Sequence, residues 1–215
     1  MRKTLVAGFA AGALVGALAG RLSATPTIRL LRRQNDALVE QVRSDRLTGV
    51  LSRAGLEEAY AATSDRGRFV IVMDLDTFKS VNDEHGHPTG DRVLSALGTR
   101  LAELASRHHG WAGRLGGDEF ALILADCTTS EAQQTATQAV AAIIAGSRTG
   151  PVHVRGSAGI AFAAATTSWS NALTDADIAL YQAKKRGTVT LFEPGMTYPQ
   201  RPVPRRRARD VRATN

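Results

Sequence analysis

The stretch Arg114-Leu115-Gly116-Gly117-Asp118-Glu119-Phe120 sets tight limits on the fold, because two glycines stand between two apolar runs. Trp111 to Leu115 reads as one short strand and Phe120 to Leu124 as the next. Gly-Gly between strands supplies the positive φ values a tight connection needs and lets a ligand approach the backbone. Asp118 and Glu119 follow at once, a pair that is expensive to hold side by side unless something cationic sits there. Upstream, Phe69 to Met73 is a buried-strand run that ends in Asp74-Leu75-Asp76. Open α/β sheets place ligands at such C-terminal strand ends.

The spacing predicts helices over about 52–64, 89–105, 129–145 and 174–186. Strands are predicted over about 69–74, 111–115, 120–124, 152–163 and 188–193. This alternation around one adjacent strand pair indicates a single α/β (α+β) domain with a mixed sheet flanked by helices. An Asp-x-Asp strand end beside an Asp-Glu hairpin is the raw material of a divalent-metal site for phosphates. Mg²⁺ takes hard oxygen ligands, one or two carboxylates plus phosphate and water, and paired metals can stabilise both attacking and leaving oxygens.

Four ordered motifs carry a resemblance. They are Asp45-Arg46-Leu47-Thr48-Gly49, Asp74 through Lys79 with Asn82-Asp83, Gly86-His87 and Gly90-Asp91, then Gly116-Gly117-Asp118-Glu119-Phe120, and Tyr181-Gln182-Ala183-Lys184. Across residues 45–193 the chain resembles the GGDEF-domain diguanylate cyclases. The resemblance implies a palm-like, ferredoxin-related fold and a homodimer that condenses two GTP into cyclic di-GMP and two pyrophosphates. Asp74, Asp118 and the Leu75 carbonyl would ligate two Mg²⁺ (or Mn²⁺) ions. Asp118, Lys79 and Lys184 would be catalytic: Asp118 near the attacking 3′-hydroxyl, the lysines on the triphosphate. Phe78, Lys79, Asn82, His87, Asp91 and Lys184 would bind substrate, with Asn82 and Asp91 reading the guanine edge.

Plainer readings stand beside these. Asp76 can be a strand-end cap, and Asn82-Asp83 before Gly86 can form a turn. His85 and His87 can brace a loop, and Lys184-Lys185-Arg186 suits a helix C-terminus without any ligand. Two departures from the family pattern matter. An inhibitory Arg-x-x-Asp ahead of the hairpin becomes Arg107-His108-His109-Gly110, so product feedback through it is not expected. An arginine after the last helix is replaced by Thr188. Loss of one charged phosphate contact costs on the order of 1.5–3 kcal/mol, about tenfold to a hundredfold in rate. The alternative function is a GTP or cyclic-dinucleotide receptor with little or no catalysis.

The net charge of +7 suggests nucleic acid, but its distribution argues against that partner. Residues 45–195 hold 14 Lys+Arg and 17 Asp+Glu, so the positive excess lies in the ends. The single cysteine, Cys127, follows an apolar strand and reads as a packed thiol. Residues 5–20 are uncharged, with Gly8, Gly12, Gly16 and Gly20 on one helical face. Residues 1–22 are therefore expected to be a single-pass membrane anchor, at the short end of the ~17–25 residues a span needs. Arg21, Arg29, Arg32 and Arg33 would keep the C-terminal domain cytoplasmic at the cell membrane. A signal peptide cleaved near Ala17-Leu18-Ala19 is the competing reading. Residues 23–44 read as a helical linker, with Ile28, Leu31, Asn35, Leu38 and Val42 on a short coiled-coil seam or on an amphipathic helix lying against its own domain. Residues 194–215 form a basic, proline-bearing tail expected to be disordered, lying on anionic lipid or simply solvated.

Overall fold

A computed structural model describes Leu30 and residues 42–63, 67–146, 154–186 and 188–198. The expected anchor, nearly all of the linker and the tail beyond Tyr198 lie outside the described residues. Among the described residues no helix is long and apolar enough to cross a membrane.

The elements run β1 (Leu51–Ser52), α1 (Arg53–Ala62), β2 (Arg68–Asp76), α2 (Phe78–His85) and α3 (His87–Ser106). They continue with β3 (Trp111–Gly116), β4 (Glu119–Leu124), α4 (Thr129–Gly146), β5 (Arg155–Ala163), α5 (Trp169–Arg186) and β6 (Val189–Leu191). The sheet order is β1-β3-β4-β2-β5-β6. Both edge pairs are parallel and the four inner strands are antiparallel. Leaving out the edge strands, β2-α-β3-β4-α4-β5 with spatial order β3-β4-β2-β5 is the ferredoxin-like βαββαβ arrangement.

β2 is central because it can be buried on both faces. Phe69, Ile71, Met73 and Leu75 point into a core with α2, α3 and α4, including Phe78, Leu94, Leu97, Leu101, Ala136 and Ile143. Val70 and Val72 point the other way, into a second core with Leu56 and Tyr60 of α1 and Ala172, Ala176 and Leu180 of α5. Period-two alternation then carries Asp74 and Asp76 onto the α5 face just where the apolar run stops. Helix α5 lies hard against β5 at Gly159, where a Cβ would meet the Ala176 carbonyl oxygen and the Leu180 nitrogen at 2.1 Å each. That contact fixes where the last turn of α5, and so Lys184, arrives.

The structure departs from the expected elements in four places. A separate helix, α2, precedes the predicted one, so Asn82 and Asp83 are helical rather than a turn. Only eight residues long and bounded by Thr77 and Gly86, it carries too little apolar periodicity to show in sequence. α5 begins at Trp169, five residues before the expected start. The two-residue β1 was not anticipated, and β6 is shorter than predicted.

Candidate functional site

The hairpin β3–β4 turns as its glycines require. Gly116 and Gly117 have φ of 150° and 53°, and a Cβ at either would meet nothing, so backbone conformation and not crowding selects glycine here. The tip is stapled from outside the strand ladder. Arg114 donates from Nε and Nη2 to the Gly117 carbonyl at 2.9 and 2.6 Å, while its Nη1 lies 3.3 Å from both Asp45 carboxylate oxygens. Asp45 in turn accepts from the Thr48 backbone N–H at 2.9 Å and hydroxyl at 2.6 Å. Burial works against the Asp45 charge, but the Thr48 hydrogen bonds and Arg114 outweigh it and hold the carboxyl below its ordinary value.

The end of β2 lies against this tip. Asp74 is paired in register with Glu119, and the Leu75 N–H donates to the Asp118 carbonyl at 3.4 Å. From the opposite side Lys184, in the last turn of α5, brings Nζ to 2.8 Å from Asp74 Oδ1. Three elements therefore deliver Asp74, Leu75, Asp118 and Lys184 to one place. Glu119 joins them, although sequence reasoning left it outside the metal and catalytic sets; its adjacency to Asp118 was the available signal. Asp76, read as either ligand or cap, accepts from Ser157 Oγ at 2.8 Å.

The electrostatics are those of a site short of positive charge. Burial raises the pKa of Asp74, and Asp118 and Asp76 push it further up, so that even the Lys184 ammonium does not restore the ordinary value. Glu119 is raised by burial first, then by Asp74, Asp177 and Asp118. Crowded carboxylates of this kind suit a divalent cation, whose hard-oxygen preference the donor set matches. Among the described residues no three acidic, His or Cys side chains already converge as a closed metal cage. An open two-carboxylate site completed by phosphate oxygens and water is the arrangement that fits.

Beyond Asp76 the chain makes an uncommon turn: Thr77, a β-branched residue, has φ of 68°. It sets the start of α2, whose first backbone N–H groups, those of Phe78 and Lys79, have no partner within the helix. Phe78 is buried in the core, 8% exposed, so its ring is not available to a ligand. Lys79 is exposed on α2, as are His87 at the start of α3 and Asp91 just after its first turn. Asn82 is half-buried between these helices, and its Oδ1 is buried without a hydrogen-bond partner.

On the other side of Glu119 a cavity of about 280 Å³ opens between Arg53, Leu115, Asp177 and Tyr198. The Tyr198 hydroxyl donates to Asp177, and its pKa is pushed up to about 12 by burial and that carboxylate. The described start of the C-terminal segment is thus folded onto α5. Cys127 behaves as the packed thiol expected: burial, then Glu131 and Asp126, push its pKa up to about 11. At Gly110, the position of the missing inhibitory carboxylate, a Cβ would lie 2.1 Å from the Ile123 carbonyl oxygen. This backbone leaves no room for any side chain there.

Fold and site together define a ferredoxin-like α/β domain with an acidic cluster at the end of its central strand. A family model described as "Diguanylate cyclase, GGDEF domain" matches residues 42–190, and the chain belongs to that family. Among curated relatives, probable diguanylate cyclase DgcE of Escherichia coli K12 is 36% identical over 162 residues, 70% of this chain and 15% of its own. Diguanylate cyclase DgcP of the same strain is 32% identical over 187 residues, 82% of this chain and 54% of its own. A Shewanella oneidensis cyclic di-GMP phosphodiesterase, PdeB, is also similar, 33% identical over 70% of this chain and 18% of its own. These relatives are longer proteins, and the matched stretch spans 15–54% of their own length. The coiled coil and GGDEF domain of Caulobacter crescentus DgcB, solved with c-di-GMP, superposes with a TM-score of 0.68 at 26% identity. That match covers 81% of this chain and 98% of the other.

Proposed function

We propose that the protein is a diguanylate cyclase, condensing two GTP molecules into cyclic di-GMP and two pyrophosphates across a homodimer. The observation that carries this reading is the convergence of Asp74, Leu75 and Asp118 with Lys184 at 2.8 Å from Asp74. In this reading Asp74, the Leu75 carbonyl and Asp118 hold two Mg²⁺ or Mn²⁺ ions. Once bound, such ions neutralise the triphosphate and polarise the α-phosphorus. The N–H groups at the start of α2 and the Lys79 ammonium receive phosphate oxygens. Lys184 exchanges Asp74 for the pyrophosphate as charge builds on it. Asp118 takes the proton of the 3′-hydroxyl as that oxygen bonds to the partner substrate's α-phosphorus, and the bond to pyrophosphate breaks. In this reading Asn82 and Asp91 read the guanine edge, which the buried, unpartnered Asn82 Oδ1 supports.

One domain holds one GTP, so a second copy is required. Residues 1–22 as a membrane anchor, with the catalytic domain on the cytoplasmic side, would raise its local concentration. One observation favours a second reading, a GTP or cyclic-dinucleotide receptor: Thr188 brings no charge to the phosphates, and its backbone N–H caps α5 on Ala183.

Incubation of the full chain with GTP and Mg²⁺, followed by mass analysis, separates the two. Cyclic di-GMP from the parent and none from Asp118→Ala establishes the cyclase. Bound GTP without product, in a dimer enforced by a fused zipper, establishes the receptor instead.

A further inference from the structure

Helices α2 and α3 meet at Gly86, whose φ of 79° folds one back beside the other. Inside the angle, Asn82 of α2 faces Gly90 in the first turn of α3. A Cβ on residue 90 would lie 2.0 Å from Asn82 Oδ1, 3.1 Å from its Cγ and 2.9 Å from Phe78 Cζ. All three are side-chain atoms, so the close approach belongs to the Asn82 amide and the Phe78 ring and not to the helix backbones. Alanine is the better helix former, so the helix itself gives no reason for glycine here. The amide oxygen pressed toward Gly90 has no hydrogen-bond partner and no access to water. Asn82 is only half-buried and could reach solvent by turning, so packing against Gly90 holds it in an arrangement it would not adopt for its own hydrogen bonds.

We propose that Gly90 is a positioning residue of the base slot, its absent side chain setting the depth and orientation at which Asn82 meets a guanine. The inference rests on the reading of Asn82 as a base-recognising residue and extends it to a residue that touches no ligand. A methyl group at 90 turns the amide outward or parts the two helices. Either movement displaces Asn82 from the place where it would meet a guanine.

The test is a double-mutant cycle on the full chain, read by binding of a GTP analogue whose α–β bridge is methylene, beside the matching ATP analogue. The parent is expected to prefer the guanine analogue. Gly90→Ala should weaken it roughly tenfold, the scale of one lost buried hydrogen bond, and leave the adenine analogue unchanged. In an Asn82→Ala background the same substitution should change affinity by less than about twofold. Melting temperature supplies the second measurement. Most of any loss caused by Gly90→Ala should be restored by Asn82→Ala, which removes the closest colliding atom and leaves only the Phe78 ring edge at 2.9 Å. Guanine preference with an indifferent Gly90→Ala overturns this inference and leaves the reading of Asn82 standing. So does an equal penalty in both backgrounds, or a melting loss that Asn82→Ala does not relieve. A parent that binds both analogues equally overturns the base reading, and the role of Gly90 with it.

Discussion

Asp45 and Asp74 each sit beside one cation, at 3.3 Å from Arg114 and 2.8 Å from Lys184, yet their pKa values move in opposite directions. The shorter ion pair is the less satisfied one. Asp45 faces no competing carboxylate in the structure described and receives two hydrogen bonds from Thr48. Asp74 is more deeply buried, 13% exposed against 24% for Asp45, and Asp118 and Asp76 repel it. A single ammonium does not offset that burial and repulsion. The first arrangement is a fastener that ties the start of the domain to the hairpin tip. The second is a carboxylate cluster whose crowding one lysine does not offset. Distance alone would have ranked them the wrong way round.

Neutralising each carboxylate without changing its shape separates the two roles. Asp74→Asn is expected to lower cyclic di-GMP formation by on the order of 10²–10³-fold, the loss of one carboxylate that would hold the cations neutralising the reacting phosphates. It should leave melting temperature unchanged or raised, because repulsion from Asp118 and Asp76 disappears and the Lys184 side chain, 40% exposed, can turn to water. A fall of several degrees would make Asp74 a fastener too. Asp45→Asn is expected to do the reverse. Loss of charge-assisted bonds to Arg114 and Thr48 costs about 1.5–3 kcal/mol, or roughly 3–10 °C for a chain of this size. Turnover should fall less than for Asp74→Asn, through a loosened tip. An unchanged melting curve would show that Arg114 holds Gly117 without help from Asp45.

Much of this was legible from residues alone. The hairpin strands and β2 came directly from apolar runs bounded by glycine and aspartate, since a buried strand must be apolar and a tight turn needs positive φ. Convergence of Asp74 with Asp118 followed from the resemblance, and the register of β2 with β4 supplies its geometry. What stayed hidden was non-local or short. Helix α2 has only eight residues, and its N-cap Thr77 makes no side-chain capping bond, being held in a left-handed conformation that no propensity would assign to threonine. The Arg114 staple spans sixty-nine positions to Asp45, and one sequence carries no sign of such a pairing. Phe78 was grouped with the ligand-binding residues, but its ring belongs to the core. Gly90 looked like part of a motif; the atoms it excludes are visible only once α2 and α3 are placed.

The smallest effect is in the pH dependence of stability, and there the two regions should pull against each other. Burial and neighbouring carboxylates raise Asp74 and Glu119 in the fold above their ordinary values of 3.8 and 4.5. The native state therefore binds more protons than the unfolded chain between those values and the folded ones, and stability declines as pH rises through that window. Asp45 is lowered from 3.8, so the stability it contributes is fully present above that value and is lost as pH falls through its folded pKa. Melting curves of the full chain should thus show two opposed slopes, each removable by its own substitution. Asp74→Asn flattens the decline above pH 3.8, and Asp45→Asn flattens the loss below it. Mg²⁺ should blunt only the upper slope, because it competes with protons for Asp74 and has no carboxylate cluster to join at Asp45. An upper slope indifferent to both Asp74→Asn and Mg²⁺ would show that the acidic cluster is already neutralised from within, and the contrast with Asp45 would fail.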